Sequence, residues 1–461
     1  MLQAMSGRIA KARLMAYDVL WAIAKQGAYA HVILHEVLDR EHPTPNDAAL
    51  ASEIVYGVLT WQRLLDHEIA LHSKVAVQKM DFQVLVILRM SLYQLRFFSR
   101  VPSYAILSDA VELTKQVAFR ASGFVNGVLR SATRTPHKES AAKEGDCTQL
   151  AQKQRGVYLS FPDWLVDHFT RQFCDETACE IMEALNQKVA RTARVNTTRY
   201  TPSEVIQALQ EEGVLAQRSP VSPYGIRLPA KVNPTALAAY KEGMYTLQGE
   251  SSMLVAPLFG DMRGKRVLDA CAAPGGKALH IAELAHDQAE VVAVDLHPHR
   301  VQTILQQAKR LHLSSIQAFA SDARAIAISG SFDAILLDAP CSGLGTIARK
   351  PDIKWRVLPS DIEQLAELQS QLLDALAQRV QIGGLLIYTT CTLSARENEL
   401  QIREFLRRHS NFQLEPLHFE LVSDTLCQIM QAKPLEAGMA YLLPQELGTD
   451  GFFFAKMRRV D

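Results

Sequence analysis

The stretch Val267-Leu268-Asp269-Ala270-Cys271-Ala272-Ala273-Pro274-Gly275-Gly276-Lys277 decides the fold of this chain. Val267 and Leu268 supply the apolar run of a short buried strand. Pro274-Gly275-Gly276 predicts a tight turn in which backbone N–H groups can approach a ligand closely. The residues from Lys277 onward have helical character, so the turn lies at a helix N-terminus, where nucleotide-like ligands bind. The turn is not G-x-G-x-x-G, and it lacks the Lys-Ser/Thr pair of a P-loop.

Four more strands are predicted after this stretch, and an acid or a cysteine stands near the carboxyl end of each. Asp295 follows the first strand, Asp322 lies just beyond the second, and Asp338 opens the turn after the third. Cys341 lies in that same turn, and Cys391 follows the last strand. The predicted strands cover residues 290–294, 315–319, 332–337 and 385–390. Helical patterns separate them, so we predict a parallel, doubly wound, Rossmann-like α/β sheet that binds ligands outside the carboxyl ends of its strands.

The helix before the last strand carries its own boundary signals. Its apolar residues recur at helical spacing, as in Ile362, Leu365 and Leu372. We predict that it begins with a capping box, Ser360 to Glu363, and stops at Gly383-Gly384.

Length and composition restrict the class of protein. The chain has 461 residues, enough for two or three domains. Its 49 Lys and Arg residues balance 49 Asp and Glu residues, so a contact with nucleic acid must come from a local basic patch. The N-terminus lacks the layout of a signal peptide, and the apolar stretch 84–98 is interrupted by charges and too short to span a membrane. We therefore expect a cytoplasmic protein without a membrane segment.

The sequence divides into four segments. Residues 1–135 have all-helical patterns and a mild basic excess, 136–157 read as a polar linker, 158–245 as a small α+β subdomain, and 246–461 as the Rossmann-like domain. Within the subdomain we predict helices over 162–185, 202–213 and near 237, with strands over 191–196 and 224–228. Three arginines of this subdomain either contact RNA phosphates or are ordinary surface residues: Arg191, Arg194 and Arg199.

The seven cysteines fall into three groups. Their odd number and spacing are typical of a reducing cytoplasm, and the absence of a C-x-x-C pair argues against a zinc site, so we expect no metal. Cys341 and Cys391 are candidate reactive thiols because both lie in turns at the carboxyl edge of the sheet. Cys271 lies inside the ligand turn and is assigned to its shape. The others are predicted to be ordinary buried residues: Cys147, Cys174, Cys179 and Cys427.

A thiolate beside a methyl donor serves one reaction, the methylation of pyrimidine C5. That carbon is not nucleophilic until a thiolate adds to C6 and makes C5 enamine-like. A carboxyl group near N3 assists the addition, and Asp338, three residues before Cys341, is placed for that role. Adjacent strands lie about 4.8 Å apart, so residues past their ends can face one pocket. The geometry leaves open whether Cys341 or Cys391 attacks.

Several motifs together resemble those of the RNA 5-methylcytosine methyltransferases. They are Asp269 to Lys277, Asp338-Ala339-Pro340-Cys341-Ser342-Gly343, Pro351-Asp352-Ile353-Lys354-Trp355, Thr390-Cys391-Thr392 with Glu397-Asn398-Glu399, and Asp450 to Lys456. The N-terminal segment resembles the NusB-like helical RNA-binding domain through Val55-Tyr56-Gly57, Leu92-Tyr93-Gln94-Leu95, Val101-Pro102 and Gly123-Phe124-Val125-Asn126. This layout is similar to that of the RsmB (Sun/Fmu) group, which methylates a cytosine of bacterial 16S ribosomal RNA.

The resemblance implies a role for each motif residue. S-adenosyl-L-methionine would be held by Cys271, Ala272, Ala273, Pro274, Gly275, Gly276 and Lys277. Asp295 would bind the ribose hydroxyls, Asp322 would lie near the adenine, and Asp338 near the methionine part and the target base. Cys391 would be the nucleophile, and Cys341 would assist product release. The implied partner is 16S ribosomal RNA, and we expect a monomer.

Other functions fit the residues less well. A transfer-RNA cytosine methyltransferase would not need the NusB-like segment, and an adenine amino-methyltransferase would need an Asn/Asp-Pro-Pro-aromatic turn where Asp338-Ala339-Pro340-Cys341 stands. A non-enzymatic RNA-binding factor leaves the aligned acids and cysteines unexplained. An NAD enzyme would need G-x-G-x-x-G. Which cytosine is modified, and whether naked RNA or an assembling particle is the substrate, does not follow from the sequence.

Overall fold

The structure is a computed structural model that describes residues 9–134, 147–419, 426 and 435–461. Contacts divide these residues into two compact units. The first unit holds the described residues up to Asn186 together with Ile347–Arg356, and the second holds Gln187–Thr346 and the described residues from Val357 to Asp461.

The regular elements of the described residues follow in chain order. Up to Asn186 they are helices α1 Lys11–Gln26, α2 Ala30–Glu41, α3 Pro45–Thr60, α4 Gln62–His72, α5 Phe82–Phe97, α6 Ser103–Val117, α7 Ser122–Arg134, α8 Gln152–Tyr158, α9 Asp163–Phe173 and α10 Asp175–Leu185. From there to the sheet edge they are β1 Arg191–Val195, α11 Pro202–Glu211, β2 Gln217–Arg218, β3 Gly225–Leu228, α12 Ala238–Lys241, β4 Tyr245–Leu247, α13 Glu250–Met253, β5 Arg266–Asp269, α14 Gly276–Leu284, β6 Glu290–Asp295, α15 Pro298–Arg310, β7 Ile316–Ala320 and β8 Phe332–Asp338. The rest are α16 Ile353–Arg356, α17 Pro359–Ala377, β9 Val380–Thr390, α18 Glu399–Arg408, β10 Phe412–Leu414, β11 Met439–Leu442, α19 Pro444–Leu447 and β12 Phe452–Arg459.

The N-terminal helices α1 to α7 share one apolar core, as the sequence predicts. Local signals set their starts. The Thr44 hydroxyl accepts a hydrogen bond from the N–H of Asp47 at 3.2 Å, and Pro45 fills the first position of α3. The Asp81 carboxylate accepts from the N–H of Gln83 at 2.8 Å and caps α5 in the same way.

Helices α8 to α10 belong to the first unit, although the sequence analysis assigned their residues to a linker and to the α+β subdomain. Of the predicted linker, residues 136–146 lie outside the described residues, and Gln152–Tyr158 is helical. The predicted helix 162–185 is two helices, because Cys174 breaks the run with a φ of +63°. Linker residues and helix α8 are alike in polarity, so composition does not distinguish them.

The cysteine predictions are partly wrong. Cys147 and Cys179 are buried as predicted, but they form a disulfide across a separation of 32 residues, which carries no recognisable spacing. Cys174 is exposed, because it lies in the turn between α9 and α10. Cys427 lies outside the described residues.

Helix α16 lies in a segment, Ile347–Arg356, that packs with the first unit and not with the Rossmann-like strands around it in sequence. The buried Lys354 ammonium donates to the carbonyl oxygen of Thr60 at 3.2 Å. The Trp355 indole donates to the carbonyl oxygen of Leu59 at 2.7 Å. The motif Pro351 to Trp355 is thus an anchor within the helical unit, which the sequence does not predict.

The small subdomain is an antiparallel sheet of order β2-β3-β1-β4 with α11 and α12. A capping box starts α11: the Thr201 hydroxyl accepts from the N–H of Glu204 at 3.3 Å, and the Glu204 carboxylate accepts from the N–H of Thr201 at 2.7 Å. The strands, α11 and the short helix near residue 237 agree with the predicted α+β pattern.

The large sheet is mixed, with strand order β10-β12-β9-β8-β5-β6-β7 and β11 paired to β12. The five strands β5 to β9 are parallel, as predicted. Strand β12 runs antiparallel to β9 and carries β10 and β11, so the prediction of an all-parallel sheet is wrong at this edge. The run Phe452–Arg459 is apolar enough for a buried strand of either direction, so its pattern does not set its orientation.

Helices cover both faces of this sheet, which confirms the doubly wound architecture. Val267 packs with α14 and α15, whereas its neighbour Leu268 packs with α17 and α18 on the other face. Successive side chains of β5 therefore pack into the two hydrophobic cores on opposite faces of the sheet. No helix among the described residues is long and apolar enough to cross a membrane.

The predicted limits of α17 are wrong at both ends. The helix begins at Pro359, and the Asp361 carboxylate accepts from the N–H of Leu358 at 2.9 Å, two residues before the predicted Ser360 to Glu363 pair. It ends at Ala377, and β9 runs through Gly383-Gly384. A Cβ at Gly384 would lie 2.9 Å from the Asp333 carbonyl oxygen, at the register shift between β8 and β9. Glycine therefore allows the close backbone approach at this β-bulge.

Candidate active site

A cavity of about 460 Å³ opens at the carboxyl edge of the parallel strands, within the second unit. Asp269 is not among the residues that line the cavity, but six of the acids and cysteines predicted at this edge are: Cys271, Asp295, Asp322, Asp338, Cys341 and Cys391. The strand order brings them together, because β8, β5 and β6 are adjacent and parallel. Sequence reasoning did not single out other lining residues, among them Leu296, His297, Arg300, Arg324 and Leu368.

The ligand turn is shaped by glycine. Gly275 has a φ of +104°, which strains residues with a Cβ, and Gly276 is the first residue of α14. The buried Asp295 carboxylate accepts from the N–H of Ala273 at 3.3 Å and from the N–H of His297 at 3.0 Å. Asp295 therefore ties the turn to the end of β6 while its carboxylate lines the cavity.

Asp322 occupies the rim of the cavity. Its carboxylate pairs with Arg324 at 2.6 Å and accepts from the N–H of the same residue at 2.9 Å. These bonds lower the pKa of Asp322, so it is an anion at neutral pH. This half-buried anion can accept hydrogen bonds from a polar ligand at the rim.

Lys277 is not among the lining residues of the cavity, but it pairs with Asp338, which is. Its ammonium group is 2.5 Å from Oδ2 of Asp338, and the Thr389 hydroxyl donates to Oδ1 of Asp338 at 2.9 Å. Burial alone would lower the pKa of Lys277, but the charge and hydrogen bond of Asp338, with contributions from Asp269 and Cys391, raise it. A cation is thereby held close to the Cys391 sulfur.

The sulfur atoms of Cys341 and Cys391 lie 3.5 Å apart, within reach of an S–H···S hydrogen bond. The bond to Cys391 is the largest cause that raises the pKa of Cys341 well above its ordinary value, followed by burial. Either sulfur can be the donor of this bond, and the raised pKa favours the protonated thiol at Cys341. Burial also raises the pKa of Cys271, helped by the surrounding carboxylates, which agrees with its assignment to shape and not to reactivity.

Asp269 lies at the end of β5, at the carboxyl edge where the sequence predicts ligand binding. It is buried, and neither carboxylate oxygen has a hydrogen-bond partner of ordinary geometry among the described residues, although the backbone amides of Cys271 and Ala278 lower its pKa somewhat. Burial and the charge of Asp338 raise the pKa of Asp269 to about 7. No sequence signal distinguishes this acid from its neighbours at the sheet edge.

The hypothesis that Arg194 faces RNA phosphates is wrong, because its side chain is completely buried. Its guanidinium group is hydrogen-bonded on two sides. Nε and Nη2 each donate to the carboxylate of Glu283 at 2.8 Å, and Nη1 donates to the carbonyl oxygen of Gly276 at 2.7 Å. Arg194 therefore links β1 to the start of α14. Arg191 and Arg199 are exposed.

Comparisons with known proteins agree with this architecture. The family described as 16S rRNA methyltransferase RsmB/F matches residues 257–458, the NusB family matches 10–134, and the RsmF/B-like ferredoxin-like domain matches 161–235. A probable ribosomal RNA small subunit methyltransferase B of Synechocystis sp. is 34% identical over 453 residues, 97% of this chain and 99% of the relative. The protein of that name from Bacillus subtilis is 34% identical over 449 residues, 96% of this chain and 98% of the relative.

The chain belongs to the RsmB/F family of 16S rRNA methyltransferases. The methyl donor of the RsmB/F family is S-adenosylmethionine. A methyltransferase homologue from Pyrococcus horikoshii is similar in structure, with 27% identity and a TM-score of 0.57 over 67% of this chain and 100% of that one. NSun6 from the same organism, solved with SFG, shares the fold at 24% identity and a TM-score of 0.59, over 66% of this chain and 100% of that one.

Proposed function

We propose that this methyltransferase methylates C5 of a cytosine in 16S ribosomal RNA through a covalent bond between Cys391 and C6. One observation carries the proposal: two thiols lie 3.5 Å apart in the cavity that also contains Asp338. Methylation at an oxygen or an exocyclic nitrogen needs no thiol, whereas C5 of a pyrimidine needs a nucleophile on C6. We also propose that residues 1–135 dock the RNA, since the mild basic excess favours a polyanion.

The chemistry of the donor set fits S-adenosylmethionine. Asp295 and Asp322 stand at the ends of neighbouring strands and can accept hydrogen bonds from the ribose hydroxyls and the adenine. The turn from Cys271 to Lys277 lies beside a helix N-terminus and brings backbone close to the cavity. When bound, S-adenosylmethionine supplies an electrophilic methyl group.

The nucleophile is Cys391 in this proposal. Its thiolate forms the S–C6 bond, the C5–C6 π electrons move to C5, and a proton held between Lys277 and Asp338 is shared with N3, which offsets the negative charge that develops on the base. The Lys277 ammonium group, paired to Asp338 at 2.5 Å, favours the thiolate before attack. C5 then takes the methyl group.

Cys341 completes the reaction as the base. Its pKa is raised chiefly by the hydrogen bond to Cys391, and this cause disappears once the Cys391 sulfur is bound to carbon. Cys341 then loses its proton to water more readily, and its thiolate removes the proton from C5. The C5–C6 double bond re-forms as the S–C6 bond breaks, and the Cys391 thiolate is released.

The target base must leave its stack to enter the cavity, at a cost of a few kcal/mol. This cost is smallest for a base that is already unpaired, so a single-stranded or loop cytosine is the expected substrate. We expect the chain to act as a monomer, which sedimentation equilibrium at micromolar concentration tests directly.

Bisulfite sequencing of ribosomal RNA from a deletion strain tests the function. Methylated cytosine resists deamination, so one 16S position should lose its protection on deletion and regain it with the wild-type gene but not with Cys391→Ala. Unchanged 16S protection, or a loss confined to transfer RNA, would contradict the proposal.

A further inference from the structure

Glu397 is a buried carboxylate that the proposed chemistry does not use. It has no exposed surface and does not line the cavity. Its Oε1 accepts from the N–H of Ser342 at 2.8 Å, and its Oε2 accepts from the Ser342 hydroxyl at 2.6 Å. Since Ser342 directly follows Cys341, Glu397 holds the backbone of the first cysteine loop with two bonds.

The same carboxylate reaches the second cysteine loop. The Ser342 hydroxyl lies 2.7 Å from the hydroxyl of Thr392, the residue that follows Cys391, and Thr392 Oγ1 lies 3.5 Å from Glu397 Oε2. A hydroxyl residue thus follows each cysteine, and both hydroxyls meet at one carboxylate. The two loops follow the paired strands β8 and β9, and the N–H of Gly345 donates to the carbonyl oxygen of Cys391 at 3.0 Å. Glu397 and the two hydroxyls add a side-chain link to this backbone contact.

Neighbouring bonds keep Glu397 and the second loop in place. The Gln369 amide on α17 donates to Glu397 Oε1 at 3.2 Å and to the Pro340 carbonyl oxygen at 2.9 Å. The Asn398 side chain binds the residues on both sides of Cys391. It accepts from the Thr390 hydroxyl at 2.6 Å and donates to the carbonyl oxygen of Thr392 at 3.0 Å.

Burying a carboxylate costs free energy because the group loses its contacts with water, and hydrogen bonds to its oxygens offset this cost. Each oxygen of Glu397 has a donor within 2.8 Å, both from Ser342. Removal of Glu397 would leave the N–H of Ser342 buried without this acceptor. A chain that buries the carboxylate of Glu397 despite this free-energy cost gains fixed positions for the two cysteine loops.

We propose that Glu397 is a positioning residue that ties the Cys341 loop to the Cys391 loop and so sets the distance between the two thiols. The inference rests on the proposed two-cysteine chemistry, in which Cys341 must reach the proton on C5 while Cys391 is bound to C6. Displacements of about 1 Å between reacting groups can cost ~10²-fold in rate.

Two substitutions separate positioning from charge. In Glu397→Gln the amide oxygen can accept from the Ser342 N–H and the amide nitrogen can donate to the Ser342 hydroxyl, whose proton then becomes available for Thr392. Glu397→Ala removes both bonds to Ser342 and the contact with Thr392, and leaves only the Ser342–Thr392 hydroxyl pair and the backbone bond from Gly345 to Cys391. We expect Glu397→Ala to lower kcat by on the order of 100-fold, with Glu397→Gln retaining much of the activity. Glu363→Gln is the matched control, because that acid is 65% exposed and pairs only at the surface with Arg396.

The direct readout does not depend on methylation. Diamide oxidises two close thiols to a disulfide and is itself reduced to a hydrazine, and peptide mass mapping measures the rate for Cys341 and Cys391. We expect fast cross-linking in the wild type, Glu363→Gln and Glu397→Gln, and a rate at least about tenfold lower in Glu397→Ala. Affinity for S-adenosylmethionine should be unchanged in all four, because Glu397 does not line the cavity.

Two results would overturn the inference. One is an unchanged cross-linking rate and kcat in a folded Glu397→Ala protein. The other is a parallel loss of cofactor affinity and cross-linking, which would mean a general structural role. If Glu397→Ala does not fold, Ser342→Ala, which removes only the shared hydroxyl, should slow cross-linking, and a normal rate there would also contradict the inference. Failure of the proposed function is distinguishable, since it would appear as absent methylation of 16S RNA in the wild type with cross-linking intact.

Discussion

The ammonium nitrogen of Lys277 lies 2.5 Å from Oδ2 of Asp338, which joins the start of α14 to the end of β8. The same nitrogen lies 5.5 Å from the ring centroid of Phe452, a residue of the antiparallel strand β12. A lysine of the ligand turn thus becomes part of the site around the thiols. Its raised pKa keeps it cationic at neutral pH, despite its burial.

Replacing Lys277 should therefore impair chemistry more than fold. We expect Lys277→Met to lower the methylation rate by on the order of 100-fold, because the thiolate of Cys391 and the carboxylate of Asp338 lose their cation. Single-turnover kinetics with saturating cofactor measure this step. Lys265→Met is the control, since Lys265 is half-exposed and pairs with Asp333 away from the cavity. Equal rates in both variants would remove Lys277 from the chemistry.

Asp295→Ala should weaken S-adenosylmethionine binding by about 10- to 100-fold. The reason is that charge-assisted hydrogen bonds contribute about 1.5–3 kcal/mol, and the substitution also frees the N–H of Ala273 in the turn. Titration calorimetry gives the affinity, and circular dichroism checks the fold. Asp261→Ala serves as the control, because Asp261 is exposed and pairs with Arg263. Wild-type affinity in a folded Asp295→Ala protein would refute the assignment.

Asp269 predicts a pH dependence of stability. Burial raises its pKa to about 7 in the folded protein, whereas the unfolded value is 3.8. The folded state then binds the proton more tightly, so the stabilisation is complete below pH 3.8 and is lost as the pH rises through about 7. The slope is about 1.4 kcal/mol per pH unit within that window, as an upper limit.

Asp269→Asn has no such proton to lose. The free energy of unfolding of Asp269→Asn relative to the wild type should therefore increase between pH 4 and pH 7, as measured by urea titration at each pH. A difference that stays constant over this range would show that Asp269 ionises normally.

Arg194→Ala should destabilise the second unit by about 3–5 kcal/mol, because Glu283 would be left as a buried, unpaired charge. Urea denaturation measures the change. The double variant Arg194→Met with Glu283→Leu should recover much of the loss, since an apolar pair of similar volume often replaces a buried ion pair. Arg199→Ala, at an exposed site, should stay within about 0.5 kcal/mol of the wild type. A similarly small effect for Arg194→Ala would contradict the pairing.

The sequence predicts what depends on local pattern and strand order. The alternation around Val267 and Leu268 sets two cores, and parallel strand ends bring Asp338 and Cys391 to one cavity. Contacts between distant segments were not predictable. Lys354 has the appearance of a motif residue of the catalytic domain, yet it is buried against the helices of the first unit.

The sequence also does not predict the direction in which a side chain points. Arg194 and its neighbour Arg191 are the same residue type in the same segment, but one is buried in an ion pair and the other is exposed. Their burial depends on which strand face meets α14, and short strands of mixed polarity do not specify this. The role of Glu397 is likewise visible only when the loops of Cys341 and Cys391, 50 residues apart, come together.

The division of labour between Cys341 and Cys391 is the central claim, and trapping of the covalent RNA–protein adduct tests it most directly. Each cysteine is replaced by Ala, and the variants are incubated with 16S RNA and S-adenosylmethionine before denaturing electrophoresis and mass measurement. We expect Cys341→Ala to accumulate an adduct with one methylated RNA, because attack proceeds but release stalls. Cys391→Ala should give neither adduct nor methylation. An adduct in Cys391→Ala but not in Cys341→Ala would reverse the assignment, and full activity of both variants without any adduct would contradict the thiol mechanism.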